Sequence, residues 1–335
     1  MTLWMVRSAS GGRLADEFIE KGLVALGTEQ IGDLREYSSK QAVLEALNRE
    51  RPDDKLGTRK AAASQWIRFR DEVKHSDKVI TYDSSRRVYH VGEIASDYQH
   101  QAGIIADFQH FRTVNWEGEV ERDHLSTRAR NSLGSTLTLF RIPDDVADEI
   151  LRALSGQPAP QPESAEFQDA ESEDDDEDAL LKGYRVRAME IIKDRINRLD
   201  WREMEQLVAG VLRSMGYKTR VSREGSDLGI DILASPDGFG FESPRIIVEV
   251  KHRSGTAIGS KEIRNLVGGR HASDKGLFVS TGGFTKDARY ESERANIPLM
   301  LWDLDDLVQA LVENYDNADQ ETRALIPLTR LFWPV

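Results

Sequence analysis

The chain has 335 residues, 39% of them hydrophobic and 31% charged, with a formal net charge of -13 and no cysteine. The missing thiols exclude disulfides, thiolate zinc sites, iron–sulfur clusters and cysteine nucleophiles, and the seven histidines form no HExxH pair, so any metal must sit on oxygen ligands. No run approaches the roughly 20 apolar residues of a membrane span, and MTLWMVRSASGG lacks the apolar core of an export signal, so a cytoplasmic protein with no membrane partner is expected.

In chain order, LWMVRS (3–8), LVALG (23–27), KVITYD (78–83), YHVGEIA (89–95), FRTVNW (111–116) and TLTLFRI (136–142) read as strands. Helices fit 14–20, 40–48 and 61–73. Many short strands with few helices predict a small, β-rich curled sheet or barrel over residues 1–154, which NSLGSTLTLF (131–140) closes as a strand. The length itself suggests two domains.

Charge divides the chain unevenly. Residues 1–154 carry 22 basic against 25 acidic side chains, residues 155–178 none against 10, and residues 179–335 carry 23 of each. SGQPAPQPESAEFQDAESEDDDED is rich in Pro, Ser and acid and nearly without apolar residues, so it cannot bury enough surface to fold and reads as a disordered acidic linker over 155–182. Alternatively the acidic run imitates DNA and holds a basic groove closed, an autoinhibitory role.

The remaining stretch, 183–335, alternates cleanly. Ala188–Arg198 reads as a helix, and Asp200 N-caps a second one running to Met215 with Gly216 after it. Strands at 217–222, 229–234 and 245–251 follow, then a helix at 261–271, a strand at 276–281, a helix at 286–294, a strand at 297–302 and a helix at 303–313. This order predicts an α/β (α+β) chain whose C-terminal half is a mixed sheet flanked by helices.

Within 245–251 the period of two places Glu249 and Lys251 on one face, and Asp231, between two isoleucines, lies on the preceding strand. Burying these charges inside a sheet would cost several kcal/mol per ion, roughly, so a strand end beside a cleft suits them better. Two carboxylates at one rim form an oxygen-rich site for Mg²⁺, with Mn²⁺ as a substitute, and a neighbouring lysine can offset charge on a phosphate or hold a water. A surface ion pair on a strand would produce the same three letters.

The order MEQLVAGVLRSMGY with Glu205, SDLGIDILA with Asp231, IIVEVK with Glu249 and Lys251, and KGLFVSTGGFTKDA followed by IPLMLWDLDDLVQAL resembles the Mrr-type restriction endonuclease domain of the PD-(D/E)xK nuclease superfamily over about residues 200–312. The resemblance implies a Mg²⁺-dependent endodeoxyribonuclease with Asp231 and Glu249 as metal ligands and Lys251 as the third catalytic residue. Many members carry Gln where Glu249 stands. Glu205 matches the helix acid that reaches the metal or orders the fold in such nucleases, and is equally a first-turn glutamate favoured by the helix dipole. His252, Arg253, Lys261, Arg264, Arg270 and His271 suit DNA phosphates by charge, and solvated surface charge is the plain alternative. Asp227 fits an auxiliary ligand or a turn residue, and the loop 280–285 fits a phosphate or a simple turn.

Residues 3–8 and 64–95 look like the amino-terminal module attached to some Mrr-type nucleases and, more faintly, like EVE domains of the PUA-like fold, which accommodate modified bases. Trp4, Trp66, Tyr82 and Trp116 are the aromatics for such a pocket, with Arg7, Arg68 and Arg70 for phosphates, and core packing is the competing role for each ring. The reading is a modification-dependent, type IV-like restriction endonuclease of phage defence. It would act on modified DNA as a dimer or higher assembly, because cutting both strands needs two sites. A structure- or damage-directed repair nuclease and a catalytically silent DNA-binding or regulatory protein are the two alternatives.

Overall fold

The computed structural model describes residues 2–9, 12, 14–27, 30–105, 108–135, 137–157, 177–222, 230–253, 255–271 and 273–331. It is a mixed α/β chain that divides into two compact units, Met1–Arg187 and Ala188–Val335.

In the first unit the chain runs β1 (Leu3–Val6), α1 (Ala15–Lys21), β2 (Leu23–Leu26), α2 (Lys40–Glu50), α3 (Leu56–Asp71), β3 (Lys78–Asp83), β4 (Val88–Ile94), β5 (Gln99–Ile105), β6 (Phe108–Glu121), α4 (Thr127–Ser132), β7 (Leu139–Arg141) and α5 (Asp144–Leu154). Its sheet has the order β2-β6-β4-β3-β1-β7, with β5 also on β6. Strand alternation sorts the apolar residues onto two faces: Trp4, Val6, Val79 and Ile94 pack with residues of α1, α2 and α3, whereas Met5, Ile80, Tyr82 and Val91 pack with those of α4 and α5. The predicted strand over 131–140 is corrected, because Ser126 caps a helix through residue 132 and, among the described residues there, the strand is Leu139–Arg141.

The second unit contains α6 (Glu177–Ile196), which begins in the first, then α7 (Trp201–Ser214), β8 (Lys218–Val221), β9 (Ile232–Ser235), β10 (Arg245–Lys251), α8 (Ser260–Val267), β11 (Asp274–Ser280), α9 (Lys286–Glu293), β12 (Leu299–Trp302), α10 (Leu304–Glu313) and α11 (Gln320–Leu325). Helix α6 starts eleven residues before the predicted Ala188 and enters the stretch assigned to the linker; residues 158–176, and with them most of the acidic run, lie outside the described residues.

The five-stranded sheet has the order β12-β11-β10-β9-β8, with β10 central, parallel to β11 and antiparallel to β9. Val248, Val250, Leu277 and Val279 face Leu207, Val208 and Val211 of α7 and Leu307 and Val308 of α10. On the opposite face Ile247 and Phe278 meet Ile263 and Leu266 of α8 and Ala288 of α9. A sheet covered on both faces needs continuous apolar strands, and IIVEV reads so because of this. Helix α8 ends at Val267 with Gly268 behind it, so Arg270 and His271 lie beyond the helix predicted to contain them. Among the described residues no helix is long and apolar enough to cross a membrane.

Candidate active site

Antiparallel pairing of β9 with β10 is what brings the chemistry together. The ladder of Ile232 with Val248 extends one residue further through the Asp231 N–H, which donates to the Val248 carbonyl at 2.9 Å. The Asp231 Oδ2 in turn accepts from the Val250 N–H at 2.7 Å. Asp231 is thereby fixed beside the C-terminal end of β10. Two residues on, the Lys251 ammonium lies 2.9 Å from Glu249 Oε1 on their shared face.

Glu249 is only 9% exposed. Burial raises its carboxyl above the ordinary range and Asp231 adds to this, while Lys251 and Arg270 pull it down. Glu205, on the second turn of α7, feels the same neighbours. Its carboxyl is raised to about 7, by burial first and by Asp231 second, with Lys251 and Arg202 opposing. Three carboxylates and one lysine thus share a single electrostatic neighbourhood. Helix α7 is held there by a capping box, in which Asp200 accepts from Glu203 N and the Glu203 side chain accepts from Asp200 N.

Among the described residues no three His, Asp or Glu side chains are arranged as a ready-made metal cage. Asp231 and Glu249 nonetheless fit a hard, oxygen-preferring cation, since Mg²⁺ keeps several waters and commonly takes one or two protein carboxylates with substrate phosphates. Burial of Glu249 beside a lysine supplies the dry, charged rim that such an ion neutralises.

The predicted basic residues differ in how far the fold already engages them. His252 is occupied within the fold: its Nε2 bonds the Leu199 carbonyl at 2.8 Å and its Nδ1 meets Thr281 Oγ1 at 3.2 Å, so it ties the end of β10 to the segment before α7. Arg264 pairs with Glu291 on α9. Arg270 donates from Nε to the Leu266 carbonyl, and its charge acts on Glu249. Arg253, Lys261 and His271 are exposed.

Thr281 is a residue the sequence reading missed. Its hydroxyl accepts from the Arg253 N–H at 3.0 Å as well as meeting His252, so the 280–285 loop braces the strand end. Gly282 packs so tightly on the Arg253 and Thr256 carbonyls that a side chain there would collide with backbone. Asp227 lies outside the described residues.

In the first unit the four aromatics do not converge. Trp4, with its indole N–H on Asp77, and Trp66 are buried in the core on one sheet face, Tyr82 is stacked on Tyr89 on the other, and half-buried Trp116 donates to the Phe18 carbonyl. Arg7 donates to the Leu133 carbonyl, and Arg70 to the Leu34 and Tyr37 carbonyls. Arg68 pairs with Glu72. All of these are internal bonds of the unit.

Residues 196–311 match the family model Mrr_cat, described as restriction endonuclease, and this stretch is an Mrr-type restriction endonuclease domain. Residues 4–142 match a separate model described as a domain of unknown function, DUF8426. The chain is 35% identical over 98 residues to the uncharacterized protein y4cE of Sinorhizobium fredii (strain NBRC 101917 / NGR234), a match covering 28% of this chain and 25% of that protein, so the chain spans a quarter of the relative's length. Two solved structures are similar. MspJI restriction endonuclease in complex with a 27-mer oligonucleotide has 12% identity and a TM-score of 0.33, covering 92% of this chain and 74% of that one. The DNA modification-dependent restriction endonuclease AspBHI has 15% identity and a TM-score of 0.30, covering 90% and 78%.

Proposed function

We propose that the protein is a modification-dependent restriction endonuclease that hydrolyses DNA phosphodiester bonds with Mg²⁺ at Asp231, Glu249 and Lys251, and that its first unit selects the DNA. The observation that carries the reading is the meeting of these three side chains at the end of β10, fixed by the Asp231 to Val250 bond and the Lys251 to Glu249 pair.

Asp231 and Glu249 would hold the ion through their carboxylate oxygens. When bound, Mg²⁺ supplies Lewis-acid polarisation of the phosphate and a more acidic water. Lys251 places a positive charge where negative charge builds on the phosphoryl oxygens and orients the attacking water. Glu205, with its carboxyl near neutrality, is suited to take the proton that the water loses as its oxygen bonds to phosphorus. One ester oxygen leaves and is protonated in its turn. The selecting role of the first unit rests on its having its own sheet and cores and its own family match, separate from those of the nuclease. Cutting both strands calls for two copies of the site, hence a dimer or larger assembly on DNA.

Digestion of a panel of duplexes carrying defined base modifications, with Mg²⁺ or EDTA, is the test. Modified DNA is cut and plain DNA spared, cutting stops in EDTA, and Asp231→Ala or Lys251→Ala lowers the rate by about 100-fold or more. Variants that cut as fast as the wild type, or a panel left whole, would refute it.

A further inference from the structure

The polar groups of the site ride on two separate elements. Asp231, Glu249 and Lys251 belong to the sheet, whereas Glu205 belongs to α7, which meets the sheet through the apolar side chains Met204, Leu207, Val208 and Val211. Apolar packing is non-directional and leaves a helix free to rock slightly on its footing. Proton transfer allows no such freedom, because a base must come within about 2.6 to 3.2 Å of the atom that gives up the proton. A directional bond between the sheet and the start of α7 would supply what packing lacks.

His252 makes such a bond. Its ring stands one residue beyond Lys251, and the Leu199 carbonyl that it meets at 2.8 Å lies in the turn between α6 and α7, just ahead of the N-cap Asp200. A carbonyl only accepts, so Nε2 carries the proton, and Nδ1 accepts the Thr281 hydroxyl proton at 3.2 Å. The Thr281 oxygen takes the Arg253 N–H at 3.0 Å, so every group in this relay is used in a role open to it. The Thr281 end of the relay is firmly anchored. Thr281 is fully buried, its N–H donates to the Lys251 carbonyl at 3.1 Å, and the loop behind it is pinned by Ile258 N–H on the Gly283 carbonyl and Thr285 N–H on the Ile258 carbonyl. At the other end, the Leu199 N–H bonds back to Ile196 and the Asp200 capping box closes on α7 itself, so those bonds shape the turn without tying it to the sheet. The imidazole does tie it. Glu205 senses the charges of Asp231 and Lys251, which places it near the rim that α7 must be held against.

We infer that His252 is a positioning residue of the nuclease: through Leu199 it fixes the start of α7 against the end of β10, and so holds Glu205 within reach of the water that attacks phosphorus. In this role the ring needs no contact with DNA or metal. The inference rests on the nuclease reading, with Glu205 as the base.

The test uses the full chain and a duplex that the wild type cuts, with single-turnover cleavage in Mg²⁺ measured apart from affinity in EDTA. His252→Phe keeps the affinity and its salt dependence but lowers the cleavage rate about 10- to 100-fold. His252→Gln, whose amide N–H reaches the same carbonyl, recovers most of that rate. In a Glu205→Gln chain, His252→Phe costs little more, because the group it positions is already gone. Without metal or DNA, amide hydrogen exchange at Glu203, Met204 and Glu205 speeds up in His252→Phe while the rest of α7 keeps its protection. Should His252→Phe fail to fold, Thr281→Val, with Thr281→Ser as its rescue, puts the same question through the ring's other partner. Weaker binding with a flatter salt dependence would make the ring a phosphate contact and overturn the inference, as would rate losses that multiply with those of Glu205→Gln. If His252→Phe or Glu205→Gln cuts like the wild type while Lys251→Ala is silent, the nuclease reading stands and this inference falls. If the full chain cuts no duplex, both fall.

Discussion

Glu205 shows how much of the site's character comes from its neighbours rather than from the residue itself. A carboxyl lifted from 4.5 to about 7 binds more protons folded than unfolded across that interval. Its contribution to stability is therefore intact below about pH 4.5 and is lost as the pH climbs through 7, the reverse of the usual carboxylate. Glu205→Gln should melt like the wild type at pH 4 and at a higher temperature than the wild type at pH 8, both measured in EDTA; equal melting at both values would mean Glu205 is not perturbed. Asp231, Glu249 and Lys251 were legible in the sequence because a period of two and a buried, β-branched strand leave few places for such charges. His252 was not. Its basic neighbours suggested phosphate, yet the ring's two nitrogens are taken by Leu199 and Thr281, partners 53 and 29 residues away. Nor can composition tell a core Trp66 from an exposed Phe241, since burial of a ring is decided by the other strands and helices.

At the scale of elements, helix α7 carries the clearest tension between local preference and packing. Gly210 lies inside it, where alanine would be favoured by about 1 kcal/mol on helix propensity alone. A methyl there would land on the side chain of Thr322, fully buried on α11, and overpacking of this kind costs about 1 to 3 kcal/mol. The steric term is the larger. Gly210→Ala should lower the urea midpoint, and Thr322→Ala in the same chain should recover part of that loss; a more stable Gly210→Ala would show that α7 and α11 do not pack this closely. Asp200 as an N-cap made the start of α7 readable, and the β-branched run around Glu249 made β10 readable to the residue. By contrast β5, whose exposed middle QAG has no alternation, gave no strand signal. Helices α4, α5 and α11 did carry signals, namely Ser126, the acidic pair Asp144 and Asp145, and Asp319. Helices α4 and α11, of six residues each, are too short to show a period.

For the whole molecule, the existence of two units with separate cores has a thermal consequence. Each buries its own apolar clusters around its own sheet, so calorimetry should resolve two unfolding transitions, and Mg²⁺ with duplex DNA should raise the transition belonging to residues 188–335. One transition whose calorimetric and van't Hoff enthalpies agree would show instead that the units melt as one. Strand β10, at the centre of the second sheet, sets a different kind of limit. Its side chains alternate between two packed layers, so deleting any one residue between Arg245 and Val248 would turn Glu249 and Lys251 into the greasy layer under α7 and hand their places to Val250 and His252. Evolution can therefore lengthen, shorten or redecorate the turn at 236–244 while this seven-residue strand admits substitutions but no change in its count.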